Sequence, residues 1–311
     1  MKKNPIVLAI LLILPILIFG RGLYVDDLVT SSGAEIVLGN DTKENELLRI
    51  ACYYDFDQLN FLTLDSNFES WGFEIENYGL LKILINGSRM EQSQLVNFLE
   101  KARKEYGIET FGICVSHWFI TNSDINILDR IDIFTDENGN PYFTKIILEQ
   151  DINEDTTLDD YYESISEMVN HQFESNYNYT FSAYLGFIPE DPENNITQES
   201  VISNISSIGL DEIYPSFYSP SPSEIGYVQQ LEKLELVREY FDDSEIFPIF
   251  SAQDNFMGVY FEENQSVSTN CFDFTETVFE EFINTQQGFN NADFSWYNIF
   301  STQHLFNFPN L

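Results

Sequence analysis

The stretch FTKIILEQD, residues 143–151, is the part of the sequence that decides the predicted fold. It is short, apolar at its centre and bounded by polar residues, which is typical of a buried β-strand. Residues 158–173 follow with apolar residues at helical spacing, and the run YTFSAYLGF, residues 179–187, again has the pattern of a strand. A strand, a helix and another strand in succession predict a parallel βαβ unit.

The same alternation extends toward both ends of the chain. Eight βα units in roughly 250 residues match the size of a TIM barrel, so we predict one α/β domain, a (β/α)8 TIM-type barrel over residues 47–311. An open doubly wound sheet is the alternative, although no glycine-rich phosphate loop follows the first predicted strand. Residues 57–79 contain no clear helix. The predicted strands are 47–56, 80–87, 109–118, 143–151, 179–187, 211–219, 245–253 and 292–302, and the predicted helices are 91–106, 158–173, 199–207, 223–241 and 272–286.

The N-terminal residues have the pattern of a targeting segment. Lys2 and Lys3 precede an apolar run over residues 5–19. A positive region followed by an apolar one is typical of a secretory signal peptide, and a short membrane anchor is the open alternative. We therefore expect residues 1–22 to be a signal peptide or anchor and 23–46 a tether. The protein would be secreted or membrane-anchored, facing the cell exterior. N-x-S/T sequons agree with export and begin at Asn40, Asn86, Asn178, Asn195, Asn204 and Asn264.

The charge and the cysteine pattern exclude several classes of function. The net charge is −37, from 51 acidic and 14 basic residues, and such a surface repels nucleic acid. The sequence contains no HExxH motif, no EF-hand spacing and no CxxC pair, so we expect neither a metal ion nor a cofactor. It also lacks the G-x-S-x-G motif of serine hydrolases. Cys52 and Cys114 lie in apolar runs, and we expect both to be buried free thiols.

Polar and aromatic residues follow the predicted strands. A TIM barrel carries its site at the carboxyl ends of its strands, so these residues should surround one opening. Carboxylates accept hydrogen bonds from sugar hydroxyls and perform acid–base chemistry, while aromatic faces stack on sugar rings. We therefore expect a carbohydrate ligand or substrate, although acidic loops in so acidic a chain could equally be solvated surface. The predicted substrate-binding residues are Tyr54, Trp118, Tyr184, Tyr218, Gln253 and Trp296.

Glu149 and Asp151 are the predicted catalytic residues. They are two positions apart on a strand, so their side chains should point to the same side, toward the barrel axis. Repulsion between two neighbouring carboxylates raises the pKa of one of them, which is what a general acid needs.

Several stretches resemble a known group of proteins. The sequence resembles the strands of secreted barrels related to the chitinase-like family-18 glycoside hydrolases. The stretches that carry this resemblance are FTKIILEQDINE, YTFSAYLGF, DEIYPSFYSPSP, IFPIFSAQDNFMG and ADFSWYNIFS. The resemblance covers residues 140–302 and is weaker before them. It implies a glycan-directed barrel with its acid on the fourth strand.

The resemblance also implies residue roles. Strand four of the family has the pattern DxxDxDxE, in which the final Glu is the acid and the preceding Asp orients the substrate. Asp151 then corresponds to the acid and Glu149 to the orienting residue, or Glu149 is itself the acid in a shifted register. Tyr218 corresponds to the family's tyrosine of strand six. Trp296 corresponds to the tryptophan of strand eight that forms the floor of the sugar subsite. Ile147 and Lys145 depart from the pattern.

Two hypotheses of function follow. The first is a glycoside hydrolase, which the paired carboxylates favour. The second is a catalytically inactive, lectin-like or structural envelope barrel, which the departures from the family pattern favour. A fold by itself does not decide between them.

Overall fold

The computed structural model describes most of the barrel and parts of its connections. Its strands form one parallel sheet in the order β6-β5-β4-β3-β2-β1-β8-β7. The described residues are 21–25, 28–29, 37–63, 79–116, 119, 126–149, 158–171, 177–186, 197–217, 227–251, 280, 282 and 293–295.

The elements alternate along the chain in the way that a (β/α)8 barrel requires. The strands are β1 Gly22–Val25, β2 Gln58–Leu62, β3 Thr110–Val115, β4 Phe143–Glu149, β5 Thr180–Leu185, β6 Glu212–Pro215, β7 Ile249–Ser251 and β8 Asp293–Ser295. The helices are α1 Asp41–Tyr53, α2 Gly79–Asn86, α3 Arg89–Tyr106, α4 Ile127–Ile131, α5 Leu158–His171, α6 Gln198–Ser207 and α7 Tyr227–Val237, and a 3₁₀ turn covers Asp243–Glu245.

The sheet closes on itself between β6 and β7. Parallel bridges join Ile213 to Ile246 and Ser216 to Ile249. The Phe247 N–H donates to the Ile213 carbonyl at 2.9 Å, and the Phe217 N–H donates to the Ile249 carbonyl at 2.7 Å. The predicted α/β barrel is therefore confirmed, and the open sheet is excluded.

Two of the predicted strands are wrong. Residues 47–56 fall largely in α1 and residues 80–87 in α2. Asn40 starts α1 because its side chain accepts a hydrogen bond from the Lys43 N–H, which satisfies a free donor of the first turn. The apolar residues of both runs then line one helical face, since Leu47, Leu48 and Ala51 are buried in α1 and Leu80, Leu81 and Leu84 in α2.

The two missing strands lie where no strand was predicted. β1, Gly22–Val25, occupies part of the segment expected to be a tether, and β2, Gln58–Leu62, begins the stretch in which no element was clear. All four residues of β1 are buried, and β1 pairs with both β2 and β8. The chain thus enters the barrel at Gly22, earlier than the expected boundary at residue 47.

The other predicted helices and strands agree with the structure where it is described. The helix predicted at 91–106 is α3, which starts with a Ser88–Glu91 capping box and ends at Gly107 in the left-handed conformation. The strands predicted from residue 109 onward contain β3 to β8. The helix predicted at 272–286 lies outside the described residues except for the helical Glu280 and Phe282.

The apolar core has two parts. The larger part lies between the sheet and the surrounding helices, where the Phe61 ring stacks on Phe111 with centroids 6.2 Å apart. The smaller part, which we call the apolar lumen cluster, lies inside the barrel. It consists of Tyr24, Cys114, Ile147, Tyr214, Phe247 and Ile249.

Two further sequence expectations can be compared with the described residues. Cys114 is buried as expected, whereas the expectation for Cys52 is wrong, because its thiol lies on the exposed side of α1 and donates to the Tyr106 carbonyl.

No helix within the described ranges is both long and apolar enough to cross a membrane. Of the expected signal or anchor segment, residues 1–22, residues 1–20 lie outside the described ranges.

Candidate functional site

Glu149 is the last residue of β4 and lies at the carboxyl end of the barrel. It is half-buried, and it shares the inward side of the strand with Ile147, which is fully buried in the apolar lumen cluster. In the sheet Glu149 is paired with Tyr184 of β5, which is paired in turn with Tyr214 of β6. One carboxylate and two tyrosines therefore occupy neighbouring positions across three strands.

Tyr184 completes the described part of this rim. It is half-buried and packs against the apolar lumen cluster. Paired residues on neighbouring strands have Cβ atoms about 5 Å apart, so the Tyr184 and Glu149 side chains start from adjacent positions on the sheet. Both residues thus lie at or next to the carboxyl ends of their strands, and the roles assigned to them remain predictions.

A network of polar side chains lies deeper in the barrel, below Glu149. The Lys145 ammonium forms an ion pair with Glu212 at 2.8 Å, and it donates to Tyr214 Oη at 2.5 Å and to Gln58 Oε1 at 3.1 Å. The Glu212 carboxylate also accepts from the Tyr214 and Ser182 hydroxyls, at 2.9 and 3.1 Å. We call this set the polar lumen network; its members are Gln58, Asn60, Lys145, Ser182, Glu212 and Tyr214.

The network explains a glycine inside β3. The Gln58 side-chain amide donates to Asn60 Oδ1 at 2.8 Å, and a Cβ atom at Gly112 would lie only 2.4 Å from that same oxygen. Gly112 thus leaves the space that the Asn60 side chain occupies. Lys145 has a carboxylate, a phenol and an amide around it, so its side chain links β4 to β6 and β2.

The position predicted for Tyr54 is wrong. Tyr54 follows α1 and precedes β2, so it lies at the amino end of the barrel, away from Glu149. Its ring is buried in the outer core 6.5 Å from Phe56, and its carbonyl accepts a hydrogen bond from Arg21 Nη1. Tyr54 therefore supports the closed end of the barrel and cannot line the site.

The remaining predicted site residues lie outside the described part of the chain. Asp151 follows β4, and Trp118 and Tyr218 follow β3 and β6. Gln253 comes two positions after the end of β7, and Trp296 comes directly after β8. The predictions about these residues stay predictions.

Two polar residues near the carboxyl end were missed by the sequence argument. The Lys233 amine, on α7, donates to the Ser216 carbonyl at 2.5 Å and lies 3.0 Å from Ser216 Oγ. Burial lowers the pKa of Lys233 to about 7. In the sequence Lys233 lies between Gln230 and Leu234, which are both buried. A lysine among the buried positions of one helix was therefore the signal that could have identified this residue.

At the amino end, burial raises the pKa of Asp57, with hydrogen bonds from backbone groups and the Lys145 charge acting in the opposite direction. Besides Glu212, Asp57 is thus a further partly buried carboxylate near the polar lumen network. It lies at the end of the barrel opposite to Glu149. Among the residues that the structure describes, no group of three His, Cys, Asp or Glu side chains is placed to hold a metal ion.

Comparisons with known proteins find only distant structural similarity. No protein-family model and no curated protein matches the chain. Active domain 2 of a chitinase from Pyrococcus furiosus is similar at 13% identity and a TM-score of 0.49, over 88% of this chain and 82% of that one. A chitinase from Chromobacterium violaceum (12%, TM-score 0.43, 75% and 68%) and endonuclease IV from Thermus thermophilus (8%, 0.46, 89% and 92%) are also similar. These proteins differ in activity, so the similarity does not assign one.

Proposed function

We propose that this protein is an extracytoplasmic, glycoside-hydrolase-like barrel that acts on or binds a glycan at the carboxyl ends of its strands. The observation that supports it most is the pairing of Glu149 with Tyr184 at the barrel opening. A carboxylate beside an aromatic side chain offers a hydrogen-bond acceptor, an acid and an apolar face within the width of one sugar ring.

In this proposal Glu149 is the general acid. Glu149 is half-buried above the fully buried Ile147, so a substrate would approach the carboxylate from the open end. The acid would give its proton to the glycosidic oxygen as the bond to the sugar breaks. Asp151, two positions further along the chain, would assist the acid, and Tyr184 would position the sugar ring.

A second candidate function is glycan binding without hydrolysis. The inward positions of β4 below Glu149 are Ile147, which is apolar, and Lys145, whose charge is paired with Glu212. Among the described residues of β4, Glu149 is therefore the only carboxylate at the opening. A lone acid fits either substrate assistance or a binding site.

The N-terminal segment carries the proposed location. Lys2, Lys3 and the apolar run after them would direct the chain out of the cytoplasm or hold it in the membrane. The high negative charge suits a solvated extracellular surface and opposes binding to nucleic acid.

A glycan array tests the proposed function. The chain from Arg21 onward keeps β1 and the contact between Arg21 and the Tyr54 carbonyl, so it is the piece to use. We expect a defined glycan to bind and Tyr184→Ala to weaken that binding. Tyr53→Ala is the matched control, because Tyr53 is an exposed tyrosine at the end of α1. Absence of binding to any glycan, or equal loss in both variants, would refute the proposed site.

A further inference from the structure

Ser216 and Lys233 form an isolated pair at the carboxyl end of the barrel. Ser216 comes directly after β6, at the end where TIM barrels hold their catalytic groups. The Lys233 amine reaches it from α7, with Nζ 3.0 Å from Ser216 Oγ and 2.5 Å from the Ser216 carbonyl oxygen. Both residues are buried, with 2% of Ser216 and 7% of Lys233 exposed.

The surroundings of Lys233 differ from those of Lys145. Lys145 has the Glu212 carboxylate at 2.8 Å, whereas no ion pair involves Lys233 among the described residues. An ammonium group buried without an anion is costly, so burial favours the neutral amine. The resulting pKa of about 7 leaves a large fraction of the amine unprotonated at neutral pH.

We propose that Ser216 and Lys233 are a serine–lysine pair for acyl transfer, with a carboxylic ester as the substrate. The distance between Nζ and Oγ is that of a nucleophile and its base. A neutral amine can donate one N–H to the Ser216 carbonyl, which fixes its position, and direct its lone pair at the Ser216 hydroxyl. In α/β-hydrolases a G-x-S-x-G turn holds the nucleophilic serine at the end of a strand. Ser216 instead follows a barrel strand directly, so the absence of that motif does not count against the pair.

A second observation points to a ligand in the same region. Gln230 lies one turn before Lys233 on the same face of α7, and it is 2% exposed. Its Oε1 atom is buried and has no hydrogen-bond partner among the described residues. Buried polar atoms are normally paired, so this oxygen is available to a donor group of a substrate.

The reaction balances with water as the co-reactant. Ser216 Oγ bonds to the ester carbonyl carbon while Lys233 Nζ takes the hydroxyl proton. The carbon–oxygen bond to the leaving alcohol then breaks, and Nζ returns the proton to that alcohol. Water attacks the acyl-serine, Nζ takes a proton from the water, and Ser216 Oγ recovers it as the carboxylic acid leaves. This inference is independent of the glycan proposal.

Labelling with a small alkyl fluorophosphonate tests the pair in the full chain. The activated Ser216 oxygen should displace fluoride from phosphorus, and peptide mass spectrometry should locate the adduct on Ser216. The labelling rate should rise with pH through a midpoint near 7, the pKa of Lys233. Lys233→Met should lower the rate by at least about 100-fold, the usual effect of losing a general base.

The controls separate catalysis from a structural hydrogen bond. Ser116→Ala changes a serine at the same end of the barrel, after β3, where the Ser116 hydroxyl accepts from the Phe119 N–H; labelling should be unchanged. Folding of each variant is checked by circular dichroism. If Lys233→Met does not fold, the pH profile of the unchanged chain decides. Any one of three outcomes would overturn the proposal. They are the absence of an adduct on Ser216, a labelling rate that does not change with pH near 7, and full labelling of a folded Lys233→Met.

Discussion

Lys145 Nζ and Glu212 Oε2 form an ion pair of 2.8 Å inside the barrel, between β4 and β6. Tyr214 and Gln58 accept further hydrogen bonds from the same ammonium group. The pair joins two strands that are separated by β5, and it lies in the layer below Glu149. The polar lumen network thereby ties together the strands that carry the proposed site.

Replacing one partner of this pair should destabilise the fold. Lys145→Met leaves Glu212 with its two hydroxyl donors and no cation, and removing one side of a buried pair costs about 3–5 kcal/mol. We expect a loss near the lower end, because 19% of the Glu212 side chain is exposed. Urea unfolding measures it. Lys104→Met, which removes an exposed pair with Glu100, is the control and should change the stability little. Equal effects of the two changes would contradict this role of Lys145.

Gly112→Ala should also destabilise the barrel, and the effect should depend on Asn60. The added Cβ would lie 2.4 Å from Asn60 Oδ1, and overpacking of this kind costs about 1–3 kcal/mol. In Asn60→Ala/Gly112→Ala the clash is gone, so the double variant should be more stable than the sum of the two single losses predicts. A double-mutant cycle by urea unfolding gives this difference. Additive losses would show that the two residues do not compete for space.

Lys233 should make the stability depend on pH. Its pKa is about 7 in the folded chain and near the ordinary 10.5 when unfolded. Between these values the unfolded chain binds more protons, so the free energy of unfolding rises with pH in this range. Lys233→Met should remove that part of the rise. The measurement compares unfolding of both chains from pH 7 to 9.5, and parallel curves would contradict the assignment.

Ser88 should matter more than other exposed serines of α3. Its hydroxyl accepts from the Glu91 N–H, and Glu91 bonds back to the Ser88 N–H, so the first turn is capped in both directions. Ser88→Ala should lower the stability by about 1 kcal/mol, the usual effect of losing a cap. Ser93→Ala in the same helix removes only a bond to the Arg89 carbonyl and should have a smaller effect. Thermal unfolding of both variants tells whether the cap contributes as expected.

The sequence predicted the later strands better than the first two for a physical reason. β3 to β5 are apolar runs bounded by helices, and such runs are recognised by their composition. In β2, QLNFL, two of the three residues that face the lumen, Gln58 and Asn60, are polar, so a search for apolar runs passes over it. Its alternation of polar and apolar residues was the signal for a strand.

The runs 47–56 and 80–87 failed for the opposite reason. Short apolar runs fit a buried strand and a buried helix face equally well, and only the cap at Asn40 distinguishes the first of them. Part of the site was predicted, because the prediction of strand β4 also gives its carboxyl end, where Glu149 lies at the opening. The contact between Ser216 and Lys233 could not be found in this way, since it joins residues 17 positions apart on different elements.

The most direct test of the glycan proposal is to measure binding and product formation with Glu149→Gln on the glycan that the array identifies. We predict that Glu149→Gln keeps the dissociation constant of the unchanged chain while kcat falls by at least about 100-fold, because the amide keeps the shape of the carboxyl group but cannot give a proton. If the unchanged chain forms no product, Glu149→Gln should alter affinity only, as expected of a binding barrel. Unchanged binding and unchanged turnover in Glu149→Gln would contradict a site at the carboxyl end of β4.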